Sequence, residues 1–574
     1  MKLPISVTAL ALAATTAVHA ADYKPVTEER LKNPEPENWL LTKGNYEGWS
    51  YSPLDQITPE NVAKLKPVWS AATGINSGHE APAIVNGDYM FVATPHNNVL
   101  AFDTKTGRFL WRFVRETPEG LGALHRTNRG VALWGDKVYV GSIDCMLTAL
   151  NAKTGEKVWE AQVCDWETKS AYITSAPLAV KGKIIIGPSG GEFGVRGYIK
   201  AFDAETGKEA WTTYSVPAPG EPGSETWPQD GKWKDAWKNG GGTMWMPGNY
   251  DSKNDIIYWG VGNGAPWIAD QRPGDNLYLA SSLAINPDDG KIIGHFQYHW
   301  NDGWDWAAMN APTLIELDRD GKKVPGLISA QRNGVLYWLE RDGKGKITFD
   351  KAVKYVHNNV FKTIDEKTGR PTYDEAAIPK TGGTATYCPS RWGGKDWPYE
   401  AYSPKSGMLY IPFNDNHCMT LTGMIQPILP GQWSAGVDIK RLDLEIAKDF
   451  KYIGGIQAWS VSDAKEVWRE TYPGSWNWGS ILTTGGGVLF AGGTNDRMFR
   501  AYDEKSGKLL WEFPTPSGII SPPSAFSVDG KQYIAVVSGY GVDAQWIQGK
   551  MHDQAGWEKS VPEGGSVWVF ALGD

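Results

Sequence analysis

The sequence has only four cysteines, Cys145, Cys164, Cys388 and Cys418, and no two of them fit C-x-x-C. A c-type haem attachment or a zinc ribbon needs that spacing, so neither is encoded. Beyond residue 20 no apolar run is long enough to span a bilayer. Surplus positive charge is also missing. The formal net charge is −8, a balance that argues against nucleic acid as a partner. There is no H-E-x-x-H. Gly187-Pro188-Ser189-Gly190-Gly191 fits G-x-S-x-G, but the residues after it are Gly-spaced and then strand-like. A hydrolase elbow needs a strand-to-helix turn, so that reading is set aside. Gly260-Val261-Gly262 opens a G-x-G-x-x-G whose last place is Ala265, with Pro266-Trp267 after it. The nicotinamide fingerprint is therefore absent.

What the chain does have is one short phrase, repeated. It runs from Ala101 to Gly107 with Trp111 four residues on, and returns at Ala149–Gly155 with Trp159, Ala201–Gly207 with Trp211 and Ala501–Gly507 with Trp511. A looser copy runs from Ala458 to Trp468, and another, Ala284–Gly290, lacks its Trp. Each copy reads as strand, turn, strand, with Asp or Asn opening the turn and Gly supplying positive φ. A strand-only repeat of roughly fifty residues marks a β-propeller. The length predicts an all-β fold of about eight blades, with the Trp of each copy packed in the seam between neighbours.

Residues 1–20 read as a secretory signal: Lys2, then the apolar stretch from Ile5 to Ala17, then Val18-His19-Ala20 before the cut. The expected product is a single propeller domain over 21–574 in the periplasm. In an oxidising compartment the even cysteine count suggests two disulfides. Cys145 and Cys164 lie symmetrically about the turn at Thr154-Gly155 and should face each other across one hairpin, which leaves Cys388 with Cys418. Residues 215–245 hold too much Gly and Pro for strands, and 354–400 and 414–455 read similarly. Such insertions are expected to roof one end of the axis, where a ligand would sit.

Three residues could serve a hard cation or acid–base chemistry. Glu192 lies in the Gly-rich loop Gly187–Gly197, and Asn263 in Gly262-Asn263-Gly264. Calcium takes such carboxylate and amide oxygens. Asp305, between Trp304 and Trp306, could be a general base in a dry setting. Each also has a structural reading. Glu192 and Asn263 could bond nearby turn backbone, and Asp305 could be satisfied by Trp N–H groups.

Taken together, these segments resemble the quinoprotein alcohol dehydrogenases, the methanol and ethanol dehydrogenases that use pyrroloquinoline quinone (PQQ). The resemblance covers essentially all of the chain after residue 20. It rests on Gly78-His79-Glu80, Asn128-Arg129-Gly130, the run from Ile186 to Tyr198, Gly240-Gly241-Gly242-Thr243-Met244-Trp245, Gly262 to Trp267, Arg272 to Asn276, Trp304-Asp305 and Arg332-Asn333-Gly334.

The resemblance implies a PQQ- and calcium-dependent oxidation of an alcohol. Glu192, Asn263 and Asp305 would hold the metal, and Asp305 would also be the base. Arg332 would sit beside the quinone oxygens. Trp245 would stack under the ring, and Glu80, Arg129, Thr174, Ser189, Gly190, Gly191 and Thr243 would bond its carboxylates and edge. Asp396 and Trp397 fall where family members contact the cofactor. With no haem motif, electrons would pass to an external acceptor such as a soluble cytochrome c.

Two departures from the methanol enzymes point to a substrate bulkier than methanol, such as a secondary alcohol, sugar or polyol. Ala123 and Leu124 stand where a vicinal Cys pair is usual, and Asp543 stands where a Trp covers the substrate, with Trp546 close by. Relatives that use a trivalent lanthanide carry an extra Asp two residues after the base. Here that place is Ala307. A non-catalytic propeller that scaffolds outer-membrane protein assembly would share the Trp-closed repeat, but would not need Glu192, Asn263 and Asp305 around a stacking Trp.

Overall fold

The first repeat builds a four-stranded antiparallel sheet from Ile84–Asn86, Tyr89–Thr94, Asn98–Asp103 and Phe109–Val114. Its two middle strands are buried almost throughout, whereas the fourth is largely exposed. Neighbouring sheets therefore cover both faces of the middle strands, which read as near-continuous apolar runs (YMFVAT, NVLAF). Seven further sheets of this plan begin at Ala132–Trp134, Leu178–Val180, Asn249–Asp251, Thr313–Arg319, Ala401–Ser403, Ile481–Thr484 and Ser524–Val528. The fold is the predicted propeller. This computed structural model describes residues 23–319, 321–429 and 432–573, so the expected signal at 1–20 lies outside the described residues.

The repeated phrase does two jobs. In the turn, the Asp103 carboxylate accepts from the Thr106 N–H at 2.9 Å and from its hydroxyl at 2.7 Å, and Asp203 and Asp503 repeat the pattern. Gly107, Gly155, Gly207 and Gly507 then take φ near +70°. A Cβ on Gly155 would lie 2.5 Å from the Trp111 ring of the preceding blade. The Trp111 indole N–H donates to the Ala152 carbonyl at 3.0 Å. Trp69, Trp159, Trp211 and Trp468 dock on the next blade in the same way, at Gly107, Gly207, Gly290 and Gly507. The seam role expected of these indoles holds, and the copy that lacks its own Trp still receives one.

The last sheet closes the ring. Its outer strand, Leu65–Ala72, comes from early in the chain and pairs antiparallel with Ser566–Leu572. Both expected disulfides are present. A bulge between Lys157 and Trp159 shifts the hairpin register by one, so the Cys145 carbonyl accepts from the Val163 N–H, and the bond to Cys164 reaches one residue past the ladder.

The insertions differ from expectation in one respect. Residues 215–245 hold only short 3₁₀ turns, but the other two contain strands. Thr384–Tyr387, His417–Gly423 and Val437–Ile446 form a three-stranded sheet, and Cys388–Cys418 staples its end. Alternating Thr and apolar residues drive that pairing, with Thr384 opposite Thr422 and Thr386 opposite Thr420. A 14-residue helix, Val542–Ala555, is a further element that the strand-only repeat did not announce.

Candidate active site

A cavity of about 790 Å³ opens among these insertions, within the range of small-molecule sites. Three Gly-rich loops make one wall. The Gly197 N–H donates to the Gly241 carbonyl at 2.8 Å, and Gly242 donates to the Asn263 carbonyl at 2.8 Å. A Cβ on Gly197 would lie 2.1 Å from the Gly242 carbonyl oxygen, so the loops approach backbone to backbone and leave no room for side chains. This close contact brings Glu192, Thr243, Trp245 and Asn263 onto one cavity. Arg129, Thr174, Ser189, Gly190, Asp305, Arg332 and Trp397 line it as well.

Glu80, Gly191 and Asp396 do not line the cavity; each stands one layer behind it. Glu80 is buried against Arg129, 2.9 Å from its guanidinium. Burial pushes the Glu80 carboxyl up, and Arg129 opposes the rise. Arg129 also donates to the Thr174 hydroxyl at 2.5 Å, which lies 3.0 Å from the Ser189 hydroxyl, and it stacks 4.9 Å from the Trp245 ring and 5.2 Å from the Trp397 ring. Asp396 pairs with Arg332 and accepts from the Trp397 N–H at 2.7 Å. Gly191 packs beside Thr243.

Glu192 accepts from the Asn263 amide at 2.8 Å and from the Trp267 indole at 3.2 Å. Asn263 also makes the local bond that its turn reading predicted, to the Gly264 carbonyl at 3.3 Å, but its link to Glu192 spans two loops. Asp305 has φ of +62°, and Arg332 donates to its carbonyl at 2.8 Å and lies 3.8 Å from its carboxylate. Burial raises the Asp305 carboxyl well above the usual range, Glu192 adds to the rise, and Arg332 and Arg391 oppose it. The flanking indoles do not satisfy Asp305. Trp304 donates to the Ala377 carbonyl at 2.7 Å and Trp306 to the Ser390 carbonyl at 3.1 Å. The turn is held instead by Asp302, whose carboxylate accepts from the Trp304 and Trp306 N–H groups and meets His299 at 3.1 Å.

The family model for the PQQ glucose/ethanol/alcohol dehydrogenase β-propeller domain matches residues 39–350 and 450–534. The chain belongs to this family of quinoprotein alcohol dehydrogenases. It is 34% identical to the quinoprotein alcohol dehydrogenase PedH of Pseudomonas putida, over 99% of this chain and 97% of the relative. It is 36% identical to the quinohemoprotein alcohol dehydrogenase ADH-IIG of Pseudomonas putida, over 95% of this chain and 79% of the relative. Among solved structures, a europium-containing methanol dehydrogenase superposes with a TM-score of 0.87 at 34% identity, covering 95% of this chain and all of that one. The Comamonas testosteroni quinohemoprotein alcohol dehydrogenase follows at 0.85 and 33%, covering 96% and 82%.

The donor set of this dehydrogenase fits a flat, tri-acidic quinone. Among the described residues the buried Nε groups of Arg129 and Arg332 have no partner, and the hydroxyls of Thr174, Ser189 and Thr243 line the same cavity as Trp245. Among the described residues no three His, Cys, Asp or Glu side chains could hold a metal by themselves. Glu192, Asn263 and Asp305 offer two carboxylates and an amide, so a cation here needs further oxygens from a bound ligand.

Trp546, noted beside Asp543 in the sequence, lines the cavity, whereas sequence reasoning missed Tyr172, Trp267, Arg391, Trp392 and Trp433 on its wall. Trp267 stood inside a quoted motif. The others lie outside every quoted motif, and only the tertiary fold brings them to the axis. The expected roof is borne out by Trp433, Ile439 and Leu442, which reach the cavity from the 414–455 insertion. Among the described residues no helix is long and apolar enough to cross a membrane.

Proposed function

We propose that this dehydrogenase oxidises an alcohol bulkier than methanol, with calcium held by Glu192, Asn263 and Asp305 and with PQQ lying on Trp245. The observation that carries the reading is the Asp305 carboxylate, buried on the cavity wall with Arg332 3.8 Å away. The quinone, when bound, takes up the two electrons of the alcohol. Asp305 takes the hydroxyl proton. Burial gives it a high proton affinity, and a cation held beside it would favour its ionised form. Arg332 is fixed from behind by Asp396, so its charge can face the reacting oxygens without reorganising. Arg129 is fixed in the same way by Glu80 and supplies a charge-assisted donor for a carboxylate.

The pocket supports a bulky substrate. Half-exposed Leu124 lines the cavity where the methanol enzymes have the Cys pair, and Asp543 stands in the place of the covering Trp, 3.5 Å from His125, with the only nearby indole of its helix being Trp546 three residues on. Two disulfides suit the periplasm that residues 1–20 predict. The acceptor is an external one, a soluble cytochrome c. The scaffold reading is not favoured, because it gives no use to buried carboxylates and arginines converging on one cavity.

Asp305→Ala tests the base. PQQ absorbance should be retained, and turnover with a dye acceptor should fall by ~10²-fold or more. Near-normal turnover refutes the role. The metal is tested separately. Ala307, buried beside Trp306, supplies no third carboxylate, and moderate charge with irregular oxygen ligands suits calcium. Stripped enzyme given PQQ should recover with calcium; recovery with lanthanum alone overturns this assignment.

A further inference from the structure

Four arginines line the cavity. Arg129 and Arg332 have carboxylates behind them, and exposed Arg126 reaches the Leu121 carbonyl at 3.4 Å. Arg391 differs. Among the described residues its guanidinium makes no hydrogen bond and no ion pair, and its Nε is buried without a partner. It is boxed by three indoles, 4.5 Å from the Trp392 ring and 5.5 Å from both Trp267 and Trp546. Indole faces hold a cation in place and strip its water without neutralising it. Arg391 is half-buried with no hydrogen-bonding partner on its guanidinium among the described residues, and a bidentate anion is the best partner for such a group.

Asp305 shares the inner end of the cavity with Arg391, but toward the mouth the charge near Arg391 has the same sign. Lys550 lies 5.3 Å over the Trp546 ring and, among the described residues, has no carboxylate partner. With Arg126 these make three cations near the mouth against Asp543, which is already beside His125, in a chain whose net charge is −8. Arg391 is also tied to the reacting end. Trp306, next to Asp305, bonds the Ser390 carbonyl at 3.1 Å, and Trp267 faces Arg391 while donating to Glu192. The cofactor donors lie elsewhere, with Arg129 on Trp245 and Trp397.

We propose that Arg391 is the substrate-orienting arginine and that the alcohol carries a carboxylate several atoms from its carbinol: a hydroxy acid. The carboxylate docks in the indole box while the hydroxyl reaches Asp305. The carboxylate is unchanged. The hydroxyl would give its proton to Asp305 and the carbinol carbon would give its hydrogen, with the electron pair, to the quinone, as in a neutral alcohol. This rests on the proposed reaction, but the subsite can be read without it.

The test uses holoenzyme and two matched pairs: para-(hydroxymethyl)benzoate with para-methylbenzyl alcohol, and 4-hydroxybutyrate with 1-butanol. Wild type should favour the acid of each pair in kcat/KM. Arg391→Gln should lower kcat/KM for the acids by ~10²-fold, mainly through KM, and leave the neutral alcohols within about threefold. Arg391→Lys should recover part of the loss. Benzoate should quench tryptophan fluorescence in wild type and not in Arg391→Gln, which reads the box without turnover. Wild-type preference for the neutral partners, or an equal loss on both, overturns the proposal. So does weakened PQQ retention in Arg391→Gln, since Arg391 would then serve the cofactor. If no alcohol turns over but the benzoate quench is present and Arg391-dependent, the subsite stands and the proposed reaction fails.

Discussion

His79 precedes Glu80 and is wholly buried, with Nδ1 2.8 Å from the Ser77 carbonyl and Nε2 3.0 Å from the Thr73 hydroxyl. Those partners suit the neutral ring, one nitrogen donating and the other accepting. Burial pushes its pKa down to about 4 from an ordinary 6.5. The unfolded chain therefore binds the extra proton first. Stability should be whole above pH 6.5 and should fall as the pH drops to about 4, by about 3 kcal/mol for this one group. Thermal midpoints of wild type and His79→Gln across that window would show it as a shallower slope in the variant. His417, held down to about 4 in the same way, should keep part of the slope. Resemblance made His79's neighbours legible as site residues because they sit in ordered motifs. The burial that fixes its charge state depends on Gly539 and Gly565, hundreds of residues away, and is not written locally.

Among elements, the docked indole is the repeating contact. Trp111 buries its ring against Gly155 of the next blade and anchors its N–H on Ala152. Trp111→Ala leaves a ring-sized void in a seam and should destabilise by ~3–5 kcal/mol, read as a lower denaturation midpoint with little change in kcat. The turn and the indole were legible because both belong to the phrase that recurs. The roof strands were hidden by the Gly and Pro around them. The helix Val542–Ala555 was hidden differently. Its buried positions Ala544, Ile547, Gln548 and Met551 have helical spacing, but one of them is polar and Gly549 interrupts the run. Local propensity is weak there, and packing over the cavity decides.

For the whole molecule, the ring explains how one site gathers residues from Glu80 to Trp397. Loops from separate blades converge at one end of the axis, and backbone contacts between Gly-rich turns lock them together. The architecture and most of the polar donors were legible from the repeat and the resemblance. Apart from Trp546, noted beside Asp543, the aromatic wall was not, because Trp392 and Trp433 arrive from insertions whose course follows no repeat. The closing sheet sets an order in time. Leu65–Ala72 is synthesised early and has to wait for Ser566–Leu572, and the helix that carries Trp546 over the cavity also comes late in the chain. A nascent chain thus holds most of the donors long before it has a fastened ring or a cover above them. Cofactor capture becomes an event of the finished polypeptide, and a stalled or clipped product is left with the chemistry of the site but no means of keeping what enters it.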